Sequence, residues 1–455
     1  MFGRRDFLKT LAVGAGGAVL ARAVGADPQE NTPAKGPNTV FIIADDMGWA
    51  DVGYHGSAIK TPNIDALAEG GVRFEQHYVM PTCTPTRVGL MTGRYPSRFG
   101  VTSPAYGQIF DKDTVTLAGA LQRCGYDTAI SGKWHMGSPP ECVPLKYGFK
   151  RSYGYFHGQI DPYTHRYKTG ERCWHRDDEI LDEDGHATDL ITDEAVRVIE
   201  TQGDAPLFLY VAYSVPHYPL DEPEKWTALY DGVFDDPSRR WLAASISHMD
   251  DGIGRIVAAI ERAGKREGTL VVFVSDNGGQ KSWHSAQHYD GRYGDRPHTV
   301  LGDNRPLRGW KGDVYEGGIR VPALANWPGV LKPGTAPAPV HIVDWMPTLC
   351  GLAGRAPERD LHWDGADVWP FVTGEGRPAG PRTLYWKTPG AYALRHGDWK
   401  LVVDHKGKKA ELYDLSSDPY ETRDLAAERP DRLAELRALL DQHTHDDRER
   451  SSARG

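Results

Sequence analysis

The sequence has few cysteines, no long apolar run and no stretch dense in basic residues, and each absence excludes a class of protein. Five cysteines in 455 residues are too few and too widely spaced for a disulfide scaffold or a zinc site. No segment approaches the apolar length that spans a bilayer, so we expect no membrane span in the mature chain. A net charge of -9 without a compensating Lys/Arg run argues against a nucleic-acid partner.

The amino terminus has the layout of a secretory signal. Residues 1–26 contain the pair Arg4 and Arg5, then a weakly apolar stretch rich in Ala and Gly, then a small-residue exit at Val24-Gly25-Ala26. The paired arginines are typical of a bacterial twin-arginine signal; the alternative is a chance basic end on a short helix. We therefore expect a protein exported to the periplasm or the extracellular space.

From residue 36 onward, short apolar runs alternate with helical patterns. Continuous runs rich in β-branched and aromatic residues predict buried strands of a parallel sheet at 39–44, 207–212 and 269–274. Helical signals lie between and around them, at 61–70, 117–124 and 241–263. This alternation predicts an α/β catalytic domain over 36–377, with a large mixed, mostly parallel sheet sandwiched by helices.

Beyond residue 377 the pattern changes to short strands separated by tight turns. Apolar stretches flank hairpin-like turns such as His396-Gly397-Asp398, and a further run over 411–415 can add a strand. A helical pattern follows over 430–443. We expect a small C-terminal α+β subdomain over 378–446, an antiparallel sheet plus a helix, followed by a charged tail over 447–455.

Cys83 lies where a loop meets a predicted helix, in Pro81-Thr82-Cys83-Thr84-Pro85-Thr86-Arg87. Thr84 is suited to the N-cap and Pro85 to the first helical position. A helix N-terminus favours anions, and Arg87 one turn on adds positive charge. These features fit a nucleophile beside an anion, or equally a small buried cysteine before an ordinary helix. Export permits disulfides, but the sequence does not assign a pairing to Cys124, Cys142, Cys173 and Cys350.

Oxygen-bearing side chains follow two of the predicted strands. Asp45 and Asp46 come after the first strand, and Asp276 and Asn277 come after the third. The carboxyl ends of parallel strands meet at one edge of a sheet, where ligands bind. Clustered carboxylates repel one another unless a cation lies between them, and hard oxygen ligands favour Ca²⁺ or Mg²⁺. The alternative is that each pair only punctuates a turn.

Basic side chains come from three further segments. Lys133 and His135 alternate in Gly132-Lys133-Trp134-His135, so both would point the same way from an extended strand. A cation beside a neutral base suits the binding of a tetrahedral anion and proton transfer. His217 lies between two prolines, and Lys311 lies on a Gly-containing loop. Taken singly, each is more typical of surface charge or of a hydrogen-bonded histidine.

Together these motifs resemble those of the sulfatase family, within the alkaline-phosphatase-like superfamily, over nearly the whole mature chain. The resemblance is carried, in the family's order, by residues 44–46 with Gly48, 83–87 with 92–94, 132–135, 275–278 and 316–322. Trp310 is a departure, because family members often have a small residue just before the second lysine. Residues 281–304 look like an insertion that either floors a substrate cleft or is a solvated excursion; among its basic residues are His284, His288, Arg292 and His298.

The resemblance implies a sulfate ester hydrolase in which a maturation enzyme oxidises Cys83 to formylglycine (3-oxoalanine). It implies that Ca²⁺, with Mg²⁺ as the less favoured ion, is held by Asp45, Asp46, Asp276, Asn277 and the modified Cys83. It also implies a sulfate pocket lined by Arg87, Lys133, His135, His217 and Lys311. The hydrated aldehyde would be the nucleophile, and the resulting hemiacetal sulfate would collapse to aldehyde and free sulfate.

Roles for the histidines follow from the same resemblance. His217, with Lys311, would help the leaving alkoxide depart, and His135 would take the proton from the second hydroxyl. By analogy with exported bacterial relatives, we expect a sulfated carbohydrate as substrate. A phosphate or phosphonate ester hydrolase is the alternative, since some relatives with this cysteine motif cleave phosphorus esters. An inactive protein that binds sulfated glycans is a further alternative, against which the complete motif set argues.

Overall fold

The apolar runs of the sequence form the strands of a large central sheet. The computed structural model describes residues 36–283, 289–294, 301–354, 360–376 and 380–448. The expected signal over 1–26 lies outside these residues. In chain order the strands are β1 (Asn38–Ala44), β2 (Val72–Phe74), β3 (His77–Tyr78), β4 (Asp127–Lys133), β5 (Arg151–Tyr155), β6 (Trp174–Arg176), β7 (Glu179–Ile180), β8 (Leu207–Ala212), β9 (Thr269–Ser275), β10 (Ala323–Asn326), β11 (Gly334–Ala336), β12 (Val340–His341), β13 (Thr383–Lys387), β14 (Ala391–His396), β15 (Trp399–Asp404) and β16 (Ala410–Asp414).

The sheet is mixed and mostly parallel, as the sequence predicted. Within the described residues, ten strands follow the order β11-β2-β10-β9-β1-β8-β4-β5-β6-β7. The central strands β9, β1, β8, β4 and β5 run parallel to their neighbours. Antiparallel pairing begins at β10 on one side and at β6 on the other. The carboxyl ends of β9, β1, β8 and β4 therefore meet at one edge.

Helices cover both faces of the sheet. They are α1 (Pro62–Glu69), α2 (Cys83–Thr92), α3 (Leu117–Arg123), α4 (Ala187–Glu200), α5 (Glu224–Thr227), α6 (Pro237–Arg262), α7 (Glu316–Ile319), α8 (Trp345–Leu352), α9 (Trp369–Val372) and α10 (Pro430–Thr444). Alternate residues of β1 enter different cores, because successive strand side chains point to opposite faces. Phe41 packs in the core that includes residues of α2, α3 and α8, and Ile42 in the core that includes residues of α1, α4 and α6.

Helix boundaries differ from the sequence prediction where capping was misjudged. Helix α6 begins at Pro237 and not near 241, because the Asp236 side chain accepts a hydrogen bond from the Ser238 amide and proline occupies the first turn. Thr116 caps α3 as predicted. Thr61 precedes α1, but its hydroxyl donates to the Asp65 carboxylate and does not cap the helix.

The C-terminal part has the expected antiparallel sheet and helix. Strands β13 to β16 pair in sequence order, each antiparallel to the next, and residues of α10 share a core with the strand residues. Buried Lys400 on β15 donates to Glu316 at 2.8 Å and lies 2.7 Å from Glu421. The division at 377/378 stays a prediction, since residues 377–379 lie outside the described ranges. In the described ranges, no helix has the length and apolar character needed to cross a membrane.

Candidate active site

Four parallel strands bring most of the predicted site residues to one edge of the sheet. Asp45 and Asp46 follow β1, Asp276 and Asn277 follow β9, and Lys133 ends β4. His217 lies on the segment after β8, which is joined to β1 by a hydrogen bond from the Asp45 amide to the Val215 carbonyl at 3.1 Å. The placement follows from the topology, since the four strands are neighbours.

Cys83 is the first residue of α2, so the helix starts two residues earlier than the capping prediction placed it. The prediction that Thr84 caps the helix and Pro85 opens it is wrong, because Thr82 is extended (φ -147°, ψ 161°) and the helix starts directly after it. Thr84 instead accepts a hydrogen bond from the Ala105 amide at 3.3 Å. Pro85 still lies in the first turn, where a missing N–H is harmless. The Cys83 side chain is 2% exposed.

Arg87, one turn along α2, is fully buried and ties the helix to two strand ends. Its guanidinium donates to the Asp276 carboxylate at 2.8 Å and to the Lys133 carbonyl at 3.1 Å. A third bond, at 3.2 Å, goes to the Tyr210 hydroxyl on β8. A guanidinium group that donates to several acceptors at once is held in one orientation. Arg87 is therefore a fixed positive charge beside Cys83.

Each of the other two carboxylates is paired with a lysine. Lys133 donates to Asp45 at 2.5 Å, and both side chains are fully buried. Lys311 donates to Asp46 at 2.7 Å. The expectation of a solvated surface lysine at 311 is wrong, since its side chain is 14% exposed. Burial raises the pKa of Asp46, but the charge of Lys311 outweighs it and the pKa falls to about 2.

Two oxygen atoms of the predicted metal ligands are buried without a hydrogen-bond partner, namely Asp45 Oδ1 and Asn277 Oδ1. The Asn277 amide nitrogen donates to Asp46 at 2.7 Å, which leaves the amide oxygen for another ligand. One ligand atom each of Asp45, Asp46, Cys83 and His217 lies within 4.8 Å of the others. Unpartnered hard oxygens among carboxylates fit a divalent cation.

The Asp276 carboxylate accepts hydrogen bonds from the protein on both oxygens, as the Asp46 carboxylate does from Asn277 and Lys311. Its carboxylate accepts from Arg87 and, at 3.1 Å, from the Asp46 amide. Burial and the charge of Asp45 raise its pKa to about 6. The backbone of Asp46 is left-handed (φ 73°), which brings that amide onto the Asp276 side chain. Both of its carboxylate oxygens thus have protein donors.

His217 and His135 both lie in this site, His217 on the segment after β8 and His135 just after β4. His217 Nδ1 is 2.5 Å from the Tyr218 carbonyl, which only accepts, so Nδ1 is the donor and Nε2 lies 3.8 Å from Asp46. Burial and the charge of Lys311 lower the pKa of His217 to about 3. The prediction that Lys133 and His135 share an extended strand is wrong: β4 ends at Lys133 and His135 is left-handed (φ 53°).

His135 nevertheless lies among the site's positive charges. Burial, and then the charges of Lys133 and Arg87, lower the pKa of its imidazole well below the usual range. Both of its ring nitrogens are buried without a partner. The ring therefore remains neutral and available to exchange a proton with a bound group.

The thiol of Cys83 is a poor nucleophile in this environment. Burial raises its pKa to about 12, and the charges of Lys133 and Lys311 do not offset that cost. The thiolate, not the thiol, is the reactive form. At neutral pH an unmodified Cys83 is therefore a neutral thiol. In the structure Cys142, Cys173 and Cys350 are buried thiols as well.

Sequence reasoning missed three residues that hold the site together, two through their side chains and one through its backbone carbonyl. Tyr210 accepts from Arg87, and the Thr86 hydroxyl donates to the Asp276 carbonyl at 2.6 Å, which fixes α2 against β9. Tyr218 accepts from His217 through its carbonyl. Thr86 lies inside the cysteine motif and was open to detection. Tyr210 carried no signal, since it reads as an ordinary residue of a buried strand.

Comparison with known proteins decides the family. A family model described as Sulfatase matches residues 37–355. The chain belongs to the sulfatase family. Arylsulfatase J of Mus musculus is 33% identical over 471 residues, which cover 89% of this chain and 75% of the relative. Arylsulfatase A of Homo sapiens is 31% identical over 475 residues, covering 89% of this chain and 87% of the relative.

A solved structure agrees in fold over almost the same length. The crystal structure of Ps i-CgsB in complex with k-i-k-neocarrahexaose is similar with a TM-score of 0.82 and 29% sequence identity, covering 92% of this chain and 95% of that one. The predicted family, fold class and enzyme class are thereby confirmed. The chain is a sulfuric ester hydrolase with an alkaline-phosphatase-like fold.

Proposed function

We propose that this sulfatase releases inorganic sulfate from a sulfated carbohydrate, and that its nucleophile is formylglycine made from Cys83. The observation that carries the proposal is the convergence of Cys83 with two buried cations and a third, partly buried one at one sheet edge. Arg87, Lys133 and Lys311 each lie against a carboxylate of that edge. A site of this charge and size suits a tetrahedral anion.

The conversion of Cys83 to formylglycine is supported by the chemistry that an unmodified thiol lacks. With a pKa near 12, the side chain supplies neither a thiolate nor two exchangeable protons. Formylglycine supplies, once hydrated, one hydroxyl to attack sulfur and a second whose proton can be removed. A maturation enzyme would have to act before folding is complete, because Cys83 is 2% exposed in the folded chain.

The strand-end oxygens are suited to hold Ca²⁺, with Mg²⁺ as the less favoured ion. Asp45, Asp46 and Asn277 offer hard oxygens, two of them without a partner, and the modified Cys83 would add another. Asp276 would contribute if its donors moved aside. Such an ion supplies charge that lowers the pKa of a bound hydroxyl. With the carboxylates neutralised, Lys133 and Lys311 become available to the sulfuryl oxygens.

Protons are exchanged by the two histidines. His217 presents Nε2 to the site because Nδ1 is held by the Tyr218 carbonyl. A bound sulfate ester brings negative charge next to this ring and favours its protonated form, from which Nε2 can donate to the leaving oxygen. His135 is neutral and has no partner on either nitrogen, so it can take the proton of the second hydroxyl.

A carbohydrate substrate is supported by a relative and by the surface beside the site. Ps i-CgsB, 29% identical to this chain, was solved in complex with k-i-k-neocarrahexaose. Tyr106 is 39% exposed, and its ring centroid lies 5.4 Å from that of His135. An exposed aromatic face beside a proton-transfer group suits packing against a sugar ring. The signal at 1–26 adds the proposal that the enzyme acts outside the cytoplasm.

Mass spectrometry of the Cys83 peptide tests the nucleophile directly. After expression with a formylglycine-generating enzyme, we expect an aldehyde at residue 83, and sulfate release in proportion to the modified fraction. Protein with a fully unmodified thiol and undiminished turnover would contradict the proposal.

Paired substrates separate sulfate from phosphorus chemistry. With 4-nitrophenyl sulfate and 4-nitrophenyl phosphate, we expect the sulfate ester to have the higher kcat/KM. Dominant phosphate turnover would show a phosphorus ester hydrolase instead. A panel of sulfated mono- and oligosaccharides then identifies the sugar, and no turnover of any of them would remove the carbohydrate part of the proposal.

A further inference from the structure

A stack of aromatic rings lies behind His217. The His217 ring centroid is 4.5 Å from that of Tyr218, its neighbour in the chain. Tyr218 in turn stacks on Trp283, with ring centroids 5.3 Å apart and ring planes inclined by 21°. Trp283 then contacts Tyr293, at 5.7 Å. The last two residues belong to the 281–304 segment, which the sequence set apart as an insertion.

The aromatic side chains in the described part of this segment are buried, although several residues between them are exposed. Trp283 is 3% exposed and Tyr293 is fully buried, and both belong to the core that also holds residues of α4 and α6. Leu301, Gly302 and Asp303 of the same segment line a cavity of about 780 Å³, so the interpretation that the segment floors a cleft stays a prediction. Of the four basic residues named above, Arg292 is the one that lies in the described ranges. His284, His288 and His298 lie outside them.

One ion pair joins this segment to the His217 loop, the residues 213–222 that follow β8, and further polar contacts anchor the segment to Asp161 outside the loop. Arg292 donates to Asp221 of that loop at 3.0 Å and to Asp161 at 2.9 Å. The Tyr293 hydroxyl donates to the same Asp161 carboxylate at 2.7 Å. Stacking at Tyr218 and an ion pair at Asp221 thus hold the loop on either side of Pro219.

The orientation of the His217 ring depends on this loop. Its Nδ1 hydrogen bond goes to the carbonyl of Tyr218, so a shift of Tyr218 turns the imidazole. The loop forms no strand or helix of its own between β8 and α5. A displacement of about 1 Å at a catalytic group can cost on the order of 100-fold in rate. Packing outside the loop must therefore set the direction of Nε2.

We propose that Trp283 is a positioning residue that holds His217, through Tyr218, in the orientation needed to assist the leaving group, and that Arg292 anchors the segment from which it acts. This inference rests on the proposed role of His217. It assigns Trp283 and Arg292 a part in the rate of ester cleavage.

Leaving-group dependence tests the inference. 4-Nitrophenyl sulfate has a good leaving group that needs little help, whereas 4-methoxyphenyl sulfate has a poor one that needs a proton. For Trp283→Leu we expect kcat on the methoxy ester to fall about tenfold or more, with a change under about threefold on the nitro ester. Trp283→Phe keeps an aromatic face and should restore kcat on the methoxy ester to within about threefold of wild type.

Matched variants separate positioning from a general loss of structure. Trp399→Leu, on the C-terminal sheet, should affect both esters equally. Arg292→Gln changes a side chain that is 38% exposed, so it should fold, and we expect the same selective loss at a smaller size. Its result decides the matter if Trp283→Leu does not fold. Equal losses on both esters, or no loss on either, would overturn the inference.

A different experimental result would refute the proposed function. Wild-type enzyme with formylglycine at position 83 that hydrolyses neither sulfate ester would refute that function, whereas the positioning inference is judged only from the ratio of the two rates in variants of an active enzyme.

Discussion

Two groups of buried side chains in this structure have the residue types of a metal site, but their negative charges are neutralised in different ways. The first is the strand-end group of Asp45, Asp46, Cys83 and His217. The second, the histidine group, consists of His186, Glu222 and His248. In both groups the possible ligand atoms lie within 4.8 Å of one another. Residue type and spacing alone do not distinguish them.

The histidine group carries its own positive charge. His248 Nδ1 lies 2.7 Å from Glu222, and Nε2 lies 3.3 Å from Asp189. Burial lowers the pKa of His248, but the hydrogen bonds to Asp189 and Glu222 outweigh it and raise the pKa to about 9. His186 Nδ1 accepts from the Thr188 amide at 3.2 Å, so its proton is on Nε2 and that nitrogen offers no lone pair.

The strand-end group is balanced only while no substrate is present. Its carboxylates are paired with lysines, yet Asp45 Oδ1 has no partner. In the proposed function Lys133 and Lys311 turn to the sulfate ester, and the carboxylates then need another cation. A buried oxygen without a hydrogen bond does not separate the two groups, since Glu222 Oε1 is in the same state as Asp45 Oδ1. The comparison teaches that the charge a cluster already holds, more than its residue types, indicates whether it binds a metal.

The largest effect is expected at Cys83 itself. Cys83→Ala should lower kcat for 4-nitrophenyl sulfate at least about 1,000-fold, because no nucleophile remains. Circular dichroism should show an unchanged fold, since the substitution removes one small side chain. Sulfate release within tenfold of wild type would mean that the strand-end group is not the reaction centre.

The second-largest effect on turnover is expected from the removal of divalent cations. Dialysis against a chelator should lower turnover about 100-fold or more, and Ca²⁺ should restore it, because the strand-end carboxylates then lose their counter-charge. The thermal midpoint should fall as well, since a ligand that binds only the native state stabilises it. Restoration of turnover by Zn²⁺ but not by Ca²⁺ would indicate nitrogen ligands. The metal would then belong to the histidine group and not to the strand-end group.

His248→Gln should affect stability without affecting metal content. We expect a loss of about 3 kcal/mol in the free energy of unfolding at pH 6, because two carboxylates lose a buried cation. The folded-state pKa is raised, so this stabilisation is fully present below a pH of about 6.5 and is lost as the pH rises through about 9.

Denaturant unfolding at several pH values checks this prediction. The difference between wild type and His248→Gln should shrink as the pH rises from 6 to 10. A difference that is independent of pH would show that the imidazole is neutral in the folded protein.

The smallest effect is expected at the exposed side of the histidine group. Asp189 is 38% exposed, and water screens its interaction with His248. Asp189→Asn should therefore cost under about 1 kcal/mol, measured by the same unfolding experiment. A cost equal to that of His248→Gln would mean that Asp189, and not Glu222, is the main partner of the imidazole.

Much of the fold could be predicted because it depends on local patterns. The buried runs at β1, β8 and β9 show their strand nature in apolar, β-branched sequence, and the polar residues after them mark the edge where the site lies. The cysteine motif and the residues after the strand ends then indicated most of the side chains that the structure places in the site.

The rest depends on contacts between residues far apart in sequence. Nothing near Lys311 indicates that it reaches Asp46, and nothing near Trp283 indicates that it stacks on Tyr218. Backbone detail was missed for a similar reason: the left-handed conformation of His135 depends on packing around the end of β4, which strand propensity does not report. Helix boundaries were missed as well, because they depend on which residue caps the helix, and helix propensity does not decide between neighbouring candidates.

Calcium titration of chelator-treated protein tests the comparison most directly, and its readout does not depend on activity. We predict one Ca²⁺ bound by wild type, an affinity at least about tenfold lower for Asp45→Asn, and an unchanged affinity for His248→Gln. An unchanged affinity in Asp45→Asn together with a loss of binding in His248→Gln would contradict the account, because the cation would then belong to the histidine group.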